Sequence, residues 1–147
     1  MKSLQKLTVL ALTGAVVALS GCKQEGCTNP DAVNYSSDAD TDDGSCTYEG
    51  EVVFWYGAAA SQMVIDYYGK SLEFYVDGQL VGSTAAAVYW NGAPDCGQNG
   101  SITVTKDLGS VPTRASTYEV YDEDGYMWWS GIVNFDANTC TSFELTP

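Results

Sequence analysis

Between residues 71 and 76 the chain alternates. Leu72, Phe74 and Val76 occupy every second position, with Glu73 and Tyr75 between them. That is the two-residue period of a strand with one buried face. Asp77-Gly78 follows, a pair suited to a primed two-residue hairpin turn, so 79–84 is expected to return as the partner strand. Further strands are predicted over 51–56, 86–90, 101–106, 116–122, 126–135 and 139–146, the last with Phe143 and Leu145 facing inward. A loop rich in Gly, Pro and Asn over 91–100 carries Cys96. One segment differs: Ala59, Met63 and Tyr67 recur at helical spacing, with Ala60 and Val64 beside them, predicting a short helix near 58–68.

About seven or eight short strands separated by turn signals in so short a stretch predict an all-β chain. The expected architecture is an antiparallel immunoglobulin-like β-sandwich. The charged turn Asp122-Glu123-Asp124-Gly125 reads as a solvated hairpin rather than as paired carboxylates for glycoside hydrolysis.

The amino-terminal pattern is of another kind. Lys2 and Lys6 precede an uncharged, almost wholly apolar run over 7–19. This run is shorter than the roughly 20 residues a membrane-spanning helix needs, and it suits an export signal. It ends in Leu19-Ser20-Gly21-Cys22, which resembles the lipobox of bacterial lipoprotein signal peptides at all four positions. The resemblance implies a diacylglyceryl thioether on Cys22, cleavage before it, and a mature chain tethered to a membrane by lipid. Lys23 stands where Asp is linked with inner-membrane retention in gram-negative lipoproteins. By that analogy the protein is an outer membrane lipoprotein, on the periplasmic or the cell-surface side. The chain then divides into a signal peptide (1–21), a lipid anchor with an acidic cysteine loop (22–49) and a β-sandwich domain (50–147).

Charge and cysteine narrow the function. Losing Lys2 and Lys6 leaves four basic against nineteen acidic residues, a net charge of −15, which argues against nucleic acid as a partner. The chain has no His, which excludes Ser-His-Asp and Cys-His catalysis and His-ligated zinc. Apart from Cys22, four cysteines remain, an even number that reads as two disulfides in an exported chain. Of the three pairings, Cys27–Cys46 and Cys96–Cys140 keep each bridge within one compositional segment.

The stretch from Gly26-Cys27-Thr28 to Asp42-Asp43-Gly44-Ser45-Cys46 resembles a short repeat element of exported bacterial proteins, of the form GCT-x-P-x-A-x-NY followed by DDGSC-x-Y. Related Asp-rich loops of the thrombospondin type 3 kind bind calcium. Only Val33, Tyr35 and Tyr48 offer it apolar surface to bury, so it needs a staple, a metal, or both. Asp38, Asp40, Asp42 and Asp43 form the candidate Ca2+ set, about half of the six to eight oxygens that ion takes. A solvated acidic linker closed by a disulfide is the alternative.

Aromatic residues crowd the body. Trp128 and Trp129 are expected to point to opposite faces of one regular strand, one into the core and one outward. An exposed Trp near Tyr89 and Trp90 would suit stacking on a sugar ring. The sequence thus predicts a non-enzymatic binding or structural module of the cell envelope, contacting glycan or envelope protein. A carbohydrate-binding or adhesion module is the alternative, and a small carboxylate-dependent hydrolase a more distant one.

Overall fold

The computed structural model describes residues 23–147; the expected signal segment and the expected lipidation position Cys22 lie outside the described residues. In chain order the elements are β1 (Glu25–Gly26), β2 (Thr41–Asp42), β3 (Tyr48–Trp55), α1 (Ala58–Asp66), β4 (Ser71–Val76), β5 (Gln79–Ala85), β6 (Ile102–Gly109), β7 (Thr113–Asp122), β8 (Met127–Asp136) and β9 (Cys140–Glu144). A four-stranded sheet ordered β5-β4-β7-β8 lies over a three-stranded sheet ordered β6-β3-β9, forming an all-β sandwich. The four-plus-three count is that of immunoglobulin-like sandwiches, with a strand order of its own. All pairings in the two sheets are antiparallel except β3–β9, which runs parallel and ties the first strand of the body to the last.

The core follows from the alternation. Leu72, Phe74 and Val76 are all buried, and Phe74 meets Phe54 of the opposite sheet at 6.1 Å between ring centroids. Val52, Val120, Val133 and Phe135 complete the layer between the sheets. Burying each such side chain contributes about 1.5–3 kcal/mol. At one end the layers come too close for any side chain. A Cβ on Gly50 would stand 2.5 Å from the backbone oxygen of Asp136, so β3 passes β8 there only because that residue is glycine.

The predicted hairpin is present: Asp77 and Gly78 both have positive φ (49° and 75°), as a primed turn requires. Asp77 adds a link the alternation could not show. Its carboxylate accepts from the Thr117 backbone N–H at 3.0 Å and pairs with Lys106 on β6, so one turn residue bridges both sheets.

The structure departs from the expected elements at three places. Residues 86–90 form no strand. Ala86 is buried and donates its N–H to Lys70 O, Val88 turns back onto Ala85 O, and Trp90 N–H reaches Tyr56 O. The segment wraps the sandwich end, because its backbone groups are taken up there rather than by a ladder. Helix α1 buries Ala60, Ser61 and Val64, leaving Ala59 and Tyr67 exposed. The Ser61 hydroxyl accounts for the rotation, since it donates to Ala86 O at 2.7 Å in the buried interface. In the cysteine loop, Val33 and Tyr35 are exposed, whereas Cys27, Ala32, Cys46 and Tyr48 join the main core. Both expected disulfides form, with Cα separations of 4.9 Å for Cys27–Cys46 and 5.9 Å for Cys96–Cys140.

Candidate functional site

The aromatic residues converge at the end of the sandwich where α1 meets the β7–β8 hairpin. Val120 pairs with Trp129 and the next residue, Tyr121, pairs with Met127, so Trp128 is an extra residue on β8. This β-bulge breaks the two-residue period. Instead of pointing to opposite faces, Trp128 and Trp129 both pack against the core margin, half-buried, with ring centroids 6.0 Å apart. Periodicity alone could not foresee this, because a bulge is a property of the pair of strands and not of one.

Around the two indoles lies an open groove of about 470 Å³, lined by Met63, Tyr67, Tyr126, Trp128, Trp129, Thr146 and Pro147. Tyr67 and Tyr126 stand nearly upright on Trp128, at interplanar angles of 74° and 73° and centroid distances of 6.1 and 5.2 Å. Both tyrosines are largely exposed, at 75% and 63%. Beneath, Trp129 stacks on Tyr56 at 6.4 Å. Burial pushes the Tyr56 phenol up to about 12, and its hydroxyl donates to Ala85 O at 3.1 Å.

The turn after β7 holds this arrangement. Asp122 is 8% exposed. Its Oδ1 accepts the backbone N–H groups of Asp124 and Tyr126 at 3.0 and 2.9 Å, and its Oδ2 accepts the Trp128 indole N–H at 3.1 Å. Glu123 reaches the other way, accepting the backbone N–H groups of Lys70 and Ser71. Those bonds hold its carboxyl down to about 2, the Ser71 N–H foremost. The hairpin is solvated at Glu123, Asp124 and Gly125, as expected, and is also a support: buried Asp122 organises the floor of the groove and Glu123 clamps it to the chain leaving α1. An Asp-x-Asp-Gly turn does signal a local side-chain-to-backbone bond, but nothing in the sequence pointed that carboxylate at Trp128.

No protein-family model, curated protein or solved structure matches this chain. Its own geometry therefore carries the functional reading.

The other candidate residues sit elsewhere. Tyr89 is exposed and Trp90 half-buried in the loop after β5, and neither lines the groove. In the cysteine loop, Asp38, Asp40, Asp42 and Asp43 are exposed. Asp42 Oδ1 accepts Gly44 N–H at 3.1 Å, and Asp43 Oδ1 accepts Ser45 N–H at 2.9 Å. These bonds shape the Asp-Asp-Gly turn, and the Ser45 contacts hold the Asp43 carboxyl below its usual range. Among the described residues, no three acidic or cysteine side chains gather where one metal ion could be held. Also among the described residues, no helix is long and apolar enough to cross a membrane.

Proposed function

We propose that this chain is a lipid-anchored lipoprotein of the outer membrane that acts without catalysis, as a binding module of the cell envelope, through the aromatic groove at Trp128. The observation that carries the reading is the bulge. It places two indoles side by side at an open surface and surrounds them with two exposed tyrosines, an expensive arrangement to leave in water unless it meets a ligand. The anchor rests on the lipobox and on Lys23. Glycan and envelope protein are the ligand classes that position would offer.

Calcium binding by the acidic loop is a separate proposal, supported only by four carboxylates within six positions. A rise in melting temperature on adding Ca2+, reversed by chelator, would support it, and an unchanged melting temperature would remove it.

The groove reading is tested by following tryptophan emission as purified envelope fractions and glycan fragments are titrated in. A saturable change that disappears in Trp128→Ala, with far-ultraviolet circular dichroism retained, is the expected result. No saturable change with any fraction would count against it.

A further inference from the structure

The chemistry of the groove narrows its ligand. We infer that it takes a small quaternary ammonium compound of the choline type, an inference that rests on the groove being a binding site at all.

Four observations converge on a cation. First, the rings do not form a flat platform. Tyr67 and Tyr126 stand at 74° and 73° to Trp128 and line the same cavity, so it is walled by rings in more than one plane. A sugar ring stacks on one plane, whereas a compact trimethylammonium group can touch several π-faces at once.

Second, Asp122 lies at the edge of the floor. Its buried carboxylate accepts the Trp128 indole N–H at 3.1 Å, which pushes electron density into the indole and sets a negative charge at its edge. Both effects strengthen attraction of a cation to the ring face and do nothing for a neutral ligand.

Third, the indoles have no donor left to offer. Trp128 N–H is taken by Asp122 and Trp129 N–H by Thr146 O at 2.8 Å, so they present only π surface and edge. A glycan, with hydroxyls to satisfy, finds no indole donor here and only the hydroxyls of Tyr67, Tyr126 and Thr146 among the lining side chains.

Fourth, the surrounding charge has one sign. Among the described residues no Lys or Arg lines the groove, the hairpin beside it carries Asp122, Glu123 and Asp124, and the mature chain is strongly acidic. That field concentrates cations and repels anions. It selects free choline-type compounds over phosphocholine, whose phosphate would meet the acidic hairpin.

The test uses the full chain purified in a polyoxyethylene detergent, which presents neither sugar nor choline headgroups. Tryptophan emission is followed against choline, its neutral isostere 3,3-dimethylbutanol, phosphocholine and an N-acetylglucosamine disaccharide. The expected result is saturable binding of choline at least about tenfold tighter than of the isostere or phosphocholine. Binding of the isostere or of phosphocholine as tight as that of choline would overturn the inference. Binding of the disaccharide without choline would overturn it too, yet leave the groove standing as a site. No change with any probe would remove both readings. Tyr67→Ala and Tyr126→Ala, at exposed positions that need not disturb folding, should each weaken choline by about threefold or more. Undiminished binding in the double variant would also contradict the assignment.

Discussion

The indole N–H of Trp128 ends on Oδ2 of Asp122, 3.1 Å away, and this bond joins the support of the groove to its floor. The same carboxylate caps two backbone N–H groups of its own turn, so a single buried side chain sets both the hairpin and the ring. Removing it in Asp122→Ala leaves three donors without a partner. The expected cost is about 1–3 kcal/mol, the loss of hydrogen bonds to a charged acceptor, since Asp124 and Tyr126 are exposed and water can reach their N–H groups. Urea unfolding monitored by circular dichroism reads this, and an unchanged midpoint would show that water replaces the carboxylate fully.

Glu123 predicts a pH dependence. Its carboxyl is held down to about 2 by the Lys70 and Ser71 N–H groups, and the Lys106 ammonium lowers that of Asp77. In both, the folded chain binds the proton more weakly than the unfolded one, so each contributes stability above the ordinary carboxylate range. That stability is lost as pH falls from about 4.5 towards 2. Thermal melts across this window should show a falling melting temperature in the wild type and a shallower fall in Glu123→Gln. Identical profiles would remove Glu123 from the account.

Gly50 predicts a packing failure. With a Cβ 2.5 Å from Asp136 O, Gly50→Ala must move β3 away from β8. Overpacking of this kind costs about 1–3 kcal/mol or more, whereas Gly92→Ala, with nothing within 4 Å of its Cβ, should stay near wild type. Comparing the two midpoints separates close approach from a general effect of replacing glycine.

The disulfides predict graded losses. Cys96–Cys140 closes 44 residues and Cys27–Cys46 closes 19. In the chain-entropy model their removal costs about 4 and about 3 kcal/mol. Paired Cys→Ser variants should therefore both melt lower, the Cys96/Cys140 pair by more. Equal losses would mean that contacts of the small loop with the core, through Ala32 and Tyr48, outweigh chain entropy.

Much of the fold was legible because strand periodicity and turn chemistry agree locally. Leu72, Phe74 and Val76, the Asp77-Gly78 turn and the segregation of cysteines each pointed to what the structure contains. The losses came where tertiary context decides. The 86–90 segment is apolar enough for a strand, but its backbone groups bond to Lys70, Ala85 and Tyr56 instead. Helix α1 turned its face because Ser61 finds a buried carbonyl. Of the candidate site, Trp128 and Trp129 read from the sequence as ligand-binding residues, whereas Tyr67 reads as a helix position, Asp122 as a turn residue, and Tyr126 only as the start of a strand. They lie on different elements and meet only because a bulge on β8 and a carboxylate in a turn bring them together.

Lipidation is read directly from mass. Membrane-fraction protein from a gram-negative host should begin at Cys22 and carry diacylglycerol, and Cys22→Ser should leave an unacylated chain. An unmodified, unanchored wild type would remove the lipoprotein reading and leave the groove untouched.

The most direct measurement of the central claim is the indole N–H spectrum of the ¹⁵N-tryptophan-labelled chain. Its four tryptophans divide into two at the groove, Trp128 and Trp129, and two away from it, Trp55 and Trp90. Titration with choline should shift the Trp128 and Trp129 resonances saturably, the N-acetylglucosamine disaccharide far less, while Trp55 and Trp90 stay in place. Movement of Trp55 or Trp90 alone, or no movement with either probe, would contradict the assignment of the bulge-built groove as the binding site.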